Sequence, residues 1–190
     1  MQHVSVPPAH ITLALARTSK LRYGENPHLE AARYAQAGGR SFWDDVNQLA
    51  GIELSYQNVV DVEAAWRLVH ALPGRSAATI VKHGTPCGAA VAATALKAYE
   101  GACTGDPEAA FGGVLAVRGP VSYGIATRIA ARPKCDVVVA SAFASQAVEA
   151  IAGQHRRARL LTAPPPPNGH WVVRQVFDGY LVQERDRVDG

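Results

Sequence analysis

The sequence is poor in cysteine and contains no long hydrophobic run. Its three cysteines, Cys87, Cys103 and Cys135, are widely spaced and form no CxxC pair, which argues against a disulfide framework and a thioredoxin-like role. The longest apolar run, at 137–144, is much too short to span a membrane. The N-terminus has no basic segment followed by an apolar one, as a secretory signal would. These absences predict a cytoplasmic protein without a membrane partner.

Several motifs with well-understood chemistry are also missing. The sequence has no GxSxG nucleophile elbow, no glycine-rich phosphate loop and no HExxH helix. Zinc nucleobase deaminases combine H-x-E with P-C-x-x-C. Here Thr85 stands where the Glu would follow His83, and Ala90 stands where the second Cys would follow Cys87. We therefore expect no metal, and we interpret Cys87 as a small packing residue.

Charge is present in both signs, with a net charge of +3 over 190 residues. The Arg and Lys residues are scattered and do not form a regular basic pattern, so no nucleic-acid partner is expected. A small positive excess suits an anionic small molecule, although it does not identify one. The length fits one domain with a substantial core.

Helical and strand-like segments alternate along most of the chain. Helices are predicted over 61–72 with Asp61 as N-cap, over 88–101, over 123–131 with Ser122 as N-cap, and over 145–154. Strands are predicted over 78–82, 112–119, 136–141 and 157–163, and a hairpin over 170–185 turns at Asp178-Gly179. This alternation predicts an α/β fold with a mostly parallel mixed sheet covered on both faces.

Lys82 and His83 follow the predicted strand 78–82 directly, in the stretch TIVKHGTPCGAAVA. Ligands of open α/β sheets bind at the carboxyl ends of strands. A neutral imidazole beside an ammonium can take a proton from a weakly nucleophilic amine, while the ammonium stabilises a developing oxyanion. The alternative is a solvated strand-end lysine and a histidine that bonds to the turn backbone. These residues alone leave both interpretations open.

A second polar cluster lies in the segment LRYGENPH, residues 21–28. Arg22 offers bidentate phosphate contacts and Tyr23 a hydroxyl or ring contact, as an anion or nucleotide site requires. The alternative is an ordinary polar turn before a helix over 29–36. Taken alone, this segment favours neither interpretation.

Five segments, taken in order, resemble one known family. They are 21–28, ELSYQNVVD (53–61), VKHGTPCGAAV (81–91), AYEGACTGDPEAAFGGVLA (98–116) and GYLVQERD (179–186). They are similar to the 5-aminoimidazole-4-carboxamide ribonucleotide (AICAR) formyltransferase domain of bifunctional purine-biosynthesis proteins, which is normally joined to inosine-monophosphate cyclohydrolase. The resemblance implies a cytidine-deaminase-like three-layer α/β sandwich without zinc. It divides the chain into an N-terminal extension, 1–20, and a transformylase-like half domain, 21–190.

The resemblance also implies roles for individual residues. Lys82 and His83 match the family's catalytic pair, with His83 as the base toward the amine. The substrate-binding positions that match are Arg22, Tyr23, Asn58, Gly112, Gly113 and Asp136. Arg22 and Tyr23 correspond to the residues at the nucleotide phosphate. Gly112 and Gly113 correspond to a place where the backbone approaches the ligand.

The family's transformylase domain is about twice as long as this chain, and the match covers its first half. The activity that the resemblance implies is formyl transfer from 10-formyltetrahydrofolate to AICAR or a related amino-heterocycle nucleotide. The second half of the site would come from a homodimer or another chain. One alternative is a stand-alone relative that catalyses a different acyl transfer, a cyclisation or a hydrolysis. The other is a non-catalytic nucleotide-binding subunit.

Overall fold

The structure, a computed structural model, describes residues 6–106 and 112–186. Its strands are β1 Leu15–Leu21, β2 Ala31–Gln36, β3 Asn47–Ala50, β4 Ser76–Lys82, β5 Thr85–Ala92, β6 Val114–Val121, β7 Val137–Phe143, β8 Arg159–Thr162, β9 Trp171–Val176 and β10 Gly179–Glu184. Its helices are α1 Tyr56–Ala71, α2 Ala95–Cys103, α3 Tyr123–Ala130 and α4 Ser145–Gln154. The motif segment 107–111 and the first five residues of the predicted extension lie outside the described residues.

Six of the described strands form the main sheet, in the order β3-β8-β7-β6-β4-β5. The pairs β6–β7 and β7–β8 are parallel, whereas β3–β8, β4–β6 and β4–β5 are antiparallel. The α/β class and the mixed sheet are confirmed, but its parallel part is smaller than expected. The reason is local, because β4 turns straight back into β5, and β6 then runs antiparallel to β4 on its other side.

Alternate residues of the central strands face opposite layers, as the period of a β-strand requires. Ala77 and Val81 of β4 pack with the apolar side of α1, which includes Trp66 and Val69. Ile80 packs in a second core. That core also contains residues of α2, α3 and α4, among them Tyr99, Ile125 and Ile151. The result is the expected three-layer sandwich, with α1 on one face of the sheet and the other three helices on the opposite face.

The predicted helix over 88–101 is wrong in its first half. Residues 85–92 form the edge strand β5, and the helix α2 begins at Ala95, with the Thr94 side chain accepting a hydrogen bond from the Lys97 amide. The small residues that favoured a helix serve close packing, because a Cβ on Gly88 would lie 1.9 Å from the carbonyl oxygen of Ala102 in α2. Tertiary contact therefore outweighed the local sequence preference.

Two other helix predictions need correction. The helix considered over 29–36 is strand β2, which pairs with β1 in a separate two-stranded sheet. The division of the chain at residue 20 stays a prediction, and strand β1 has residues on both sides of it. The N-cap of α1 is Ser55, six residues before the predicted N-cap Asp61: the Ser55 hydroxyl accepts from the Asn58 amide. Asp61 is therefore an interior residue of the helix.

Predictions for the C-terminal part are confirmed. Ser122 caps α3, since its hydroxyl accepts from the Ile125 amide at 3.4 Å, and α4 covers the predicted residues. Strands β9 and β10 form the predicted hairpin, with Phe177 and Asp178 as its turn in place of the predicted Asp178-Gly179. A hydrogen bond from the Trp66 indole to the Pro164 carbonyl, at 2.7 Å, ties the proline-rich connector before the hairpin to α1. In the described part of the chain, no helix combines the length and the apolar character needed to cross a membrane.

The contact between β5 and α2 gives a test of the fold. We expect Gly88→Ala to lower the free energy of unfolding by about 1–3 kcal/mol, the usual cost of overpacking, because the new methyl group meets the Ala102 carbonyl. Gly153→Ala is the matched control, because no atom lies within 4 Å of the added Cβ in α4. Urea unfolding monitored by circular dichroism measures both. Equal stability of the two variants would contradict this packing.

Candidate functional site

Lys82 and His83 lie where β4 turns into β5. Lys82 is the last residue of β4 and pairs with Thr85, so His83 and Gly84 form a two-residue turn. Both have positive φ, 53° for His83 and 74° for Gly84, as a type I′ hairpin turn requires. His83 thus occupies a left-handed conformation that is uncommon outside glycine, and its side chain is exposed. The turn holds the imidazole beside the half-buried Lys82.

The carboxylate of Asp61 fixes the backbone of this turn. One oxygen, Oδ2, accepts from the His83 amide at 3.3 Å, and Oδ1 accepts from the Gly84 amide at 2.7 Å. The Gln57 side chain, one helical turn earlier, donates to Oδ1 at 2.8 Å. Asp61 is 5% exposed. Helix α1 therefore carries a buried acceptor that bonds to two successive amides of the turn.

Gly112 and Gly113 lie against the end of β4 and against Asp136. Their φ angles are 81° and 76°. A Cβ on Gly113 would lie 2.7 Å from the Val81 carbonyl oxygen, and one on Gly112 would lie 2.7 Å from Asp136 Oδ2. Asp136 Oδ2 accepts from the Gly113 amide at 3.0 Å and lies 3.4 Å from Lys134 Nζ. Glycine is thus required here by close packing as well as by backbone conformation.

Arg22 and Tyr23 lie in a loop attached to the start of α1. The Arg22 amide donates to the Leu54 carbonyl, and the Tyr56 amide donates to the Tyr23 carbonyl, both at 2.9 Å. The Arg22 guanidinium lies over the Tyr23 ring, 5.2 Å from its centroid. Asn58 completes the N-cap, because its Oδ1 accepts from the Ser55 amide at 3.1 Å. Its side-chain Nδ2 is the group left for a ligand contact.

A cleft of about 330 Å³ brings most of the predicted site residues together. Those that line it are Tyr23, Asn58, Lys82, His83, Gly113 and Asp136. Arg22 lines a neighbouring groove of about 620 Å³, which shares Tyr23, Lys134, Asp136 and Arg159 with the cleft. Gly112 is not among the residues that line the cleft, and it lies next to the Asp136 carboxylate. The cleft is at the carboxyl end of β4 and also at the amino ends of β6, β7 and β8, because β4 runs antiparallel to β6.

Sequence reasoning missed Asp61, Lys134 and Arg159 among the residues that line the cleft. Asp61 left a signal, because an acidic residue falls on the stripe of α1 that also contains Val62, Ala65 and Val69, and a buried charge is informative. Arg159 left none, since it begins a short strand. It is 6% exposed, and it donates to the backbone carbonyls of Ile52 and Glu53 at 3.0–3.2 Å.

Cys87 is a partly buried residue of β5 that packs against the core under α2. Burial, more than the nearby Asp106, raises the pKa of its thiol, and Lys82 opposes this effect. A raised pKa keeps a thiol protonated and weakly nucleophilic, in line with the packing role expected for it. Within residues 6–106 and 112–186, no group of three or more His, Cys, Asp or Glu side chains is arranged to hold a metal ion.

Fold and cleft together define a deaminase-like α/β domain with a lysine and a histidine at the turn that borders its cleft. The whole chain, residues 1–190, matches the family model described as the AICARFT/IMPCHase bienzyme. It is 40% identical over 182 residues to the bifunctional purine biosynthesis protein PurH of Desulfitobacterium hafniense, covering 94% of this chain and 35% of that protein. The chain belongs to the AICARFT/IMPCHase bienzyme family.

Other relatives match to a similar extent. The PurH protein of Chloroflexus aurantiacus is 40% identical over 183 residues, which is 94% of this chain and 34% of that protein. The PurH protein of Deinococcus radiodurans is 38% identical over 183 residues, covering 94% and 36%. The chain thus spans about a third of the length of the curated relatives it matches.

Removing the Asp61 carboxylate tests its role in the turn. We expect Asp61→Ala to lower the free energy of unfolding by about 1–3 kcal/mol, because the two turn amides and the Gln57 side chain then lose their acceptor. Glu63→Ala, which removes an exposed carboxylate paired with Arg67 at 2.8 Å, is the control and should cost less than about 1 kcal/mol. Urea unfolding measures both. A loss at Asp61 no greater than at Glu63 would count against an anchoring role.

The backbone of His83 gives a second test. We expect His83→Asn to raise the free energy of unfolding by up to about 1 kcal/mol, because a left-handed residue costs about 1–2 kcal/mol and Asn tolerates that conformation well. His83→Val, which places a β-branched residue at the same position, should lower it. Thermal unfolding of the two variants compares them directly. Shifts of the same sign would argue against a left-handed residue 83.

Proposed function

We propose that this chain supplies the nucleotide-binding and proton-accepting part of an AICAR formyltransferase site. The observation that carries the proposal is the convergence of Tyr23, Asn58, Lys82, His83 and Asp136 on one cleft. These residues come from separate parts of the chain and match the family's motif positions. The strained conformation of His83 adds support, because backbone strain persists mainly where function requires it.

In this proposal Arg22 and Tyr23 bind the phosphate of the nucleotide. Arg22 is exposed at the groove and offers its guanidinium fork, which suits phosphate oxygens. The heterocycle then extends from the groove into the cleft, past the residues that line both, toward Lys82 and His83. Asn58, through Nδ2, and Asp136 are placed to bond to its polar groups. Gly112 and Gly113 keep the backbone close to the ligand, without a side chain in between.

The chemical step assigned to this chain is removal of a proton from an amine. The imidazole of His83 takes that proton as the amine nitrogen bonds to the formyl carbon, and the bond between that carbon and the donor nitrogen then breaks, so that the donor nitrogen leaves carrying the proton. The ammonium of Lys82 stabilises the negative charge that develops on the acyl oxygen. A rigid turn favours this arrangement, because it holds the two side chains without further reorganisation.

The cleft described here has few apolar residues to pack against the ring system of the family's formyl donor, 10-formyltetrahydrofolate. The cleft is lined mainly by charged and polar residues, and Val114 and the ring of Tyr23 are the largest apolar groups among its described lining. We propose that a segment corresponding to the other half of the transformylase domain holds the donor, in a homodimer or in a complex. The proposed setting is the cytoplasm, which suits three free cysteines.

Binding and turnover of AICAR test this proposal separately. We expect calorimetry to detect AICAR binding to the purified chain, with Arg22→Ala weakening it about tenfold or more and His83→Ala changing it less than about threefold. Formyl transfer from 10-formyltetrahydrofolate by this chain alone should be weak or absent. Any transfer that is measured should be abolished in His83→Ala. Arg75→Ala, at the opposite end of β4, is the control.

Each result has a distinct consequence. Absence of AICAR binding at millimolar concentration would overturn the nucleotide assignment. Turnover that survives His83→Ala would overturn the role of the imidazole as base. Robust formylation by the chain alone would overturn the claim that another segment completes the site. An equal loss of binding in Arg22→Ala and Arg75→Ala would show that Arg22 contributes general charge and no specific contact.

A further inference from the structure

The groove beside the cleft is larger than the cleft and strongly basic. It lies between the loop at 133–136 that follows α3 and the loop at 155–158 that follows α4, with Arg22 and Tyr23 on a third side. Its volume of about 620 Å³ falls in the range of sites that hold drug-sized ligands. A single phosphate held by Arg22 and Tyr23 would occupy only part of this volume.

The charges that face this groove are unbalanced. Its described lining contains five Arg and Lys side chains and a single carboxylate: Arg22, Lys134, Arg156, Arg157 and Arg159, and Asp136. That carboxylate already accepts from the Gly113 amide and pairs with Lys134. Most of the positive charge therefore has no carboxylate opposite it within the groove, as an anion-binding surface requires.

The buried Arg159 increases the positive potential of the groove. Its Nε and Nη2 donate to the carbonyls of Ile52 and Glu53, which are neutral acceptors and do not cancel the charge. Burial lowers the pKa of the Arg159 guanidinium, Asp136 opposes this effect, and Arg22 and Arg157 add to it by repulsion. Cations in a partly desolvated setting attract an anion more strongly than cations in bulk water.

Helix polarity explains only part of this charge. Arg156 and Arg157 follow the last turn of α4, where the helix dipole favours cations. That dipole is equivalent to about half an elementary charge, so it offsets less than the full charge of either arginine. His155 has a structural role, because its Nε2 lies 3.3 Å from the Ile129 carbonyl oxygen near the end of α3. Arg22 lies in another loop, and the end of α4 does not account for it.

We propose that the basic groove, defined by Arg22, Lys134, Arg156, Arg157 and Arg159, binds a small anion that carries two or more linked anionic groups. Arg157 and Arg156 are the residues assigned to the second anionic group, beyond the one at Arg22. Guanidinium forks recognise phosphates and carboxylates alike, so linked phosphates and polycarboxylates share the required chemistry. The inference goes beyond nucleotide-monophosphate binding and does not depend on the proposed formyl transfer.

Calorimetry with simple anions tests the proposal on the full chain. The probes are pyrophosphate against phosphate, which represent linked phosphates, and citrate against acetate, which represent polycarboxylates. We expect at least one multiply charged probe to bind about tenfold or more tightly than its simple counterpart, with affinity that falls as salt rises. The preferred pair identifies the source of the anionic groups.

Variants of the arginines locate the binding. Arg157→Gln should weaken binding of the preferred probe about fivefold or more, and the double variant with Arg156→Gln should weaken it further. Arg75→Gln makes the same charge change at the far end of β4 and should have less than a twofold effect. Arg157 is exposed, so folding should be retained, which circular dichroism verifies.

Three results would overturn the proposal. The first is equal affinity for the multiply charged and simple anions in both pairs. The second is an equal loss of affinity in Arg157→Gln and Arg75→Gln, which would mean that only the net charge of the protein matters. The third is no binding of either multiply charged probe at low salt. Because none of these measurements uses AICAR or a formyl donor, their outcome is independent of the test of formyl transfer.

Discussion

The bonds from the Asp61 carboxylate to the amides of His83 and Gly84 are the constraint on which the candidate site depends. They join α1 to the β4–β5 turn and fix the backbone from which the imidazole projects. Without them, a histidine in a left-handed conformation would rely on the hairpin alone. Because Ser55 and Asn58 cap the start of α1 next to the loop with Tyr23, one helix aligns both sides of the cleft.

The sheet completes this arrangement from the other side. Strand β6 lies beside β4, so Gly113 comes within contact of Val81, and Asp136 and Arg159 follow at the starts of β7 and β8. Glycines at 112 and 113 allow these chain segments to approach one another. The cleft therefore forms where strand ends of opposite direction meet, which explains why it contains both a strand-end lysine and residues that precede strands.

Much of the fold could be predicted from the sequence, because several elements carry strong local signals. Ser122 before α3 and the hairpin of β9 and β10 are examples, and the structure has both, although the hairpin turn lies one residue before Asp178-Gly179. Residues 88–92 could not be assigned correctly, since their strand conformation depends on the contact of Gly88 with Ala102, far along the chain. Most of the candidate site rested on motif resemblance. Arg159 gave no local signal, because its position matters only once β8 lies beside β7.

The β4–β5 hairpin also bears on the order in which the site assembles. Lys82 and His83 sit at a two-residue turn, whose closure costs little chain entropy, so this part can form early. The wall made by Lys134, Asp136 and Arg159 needs β6, β7 and β8 in place, and hence the closure of much longer loops. Folding would thus present the candidate proton acceptor first and the proposed anion-binding groove afterwards.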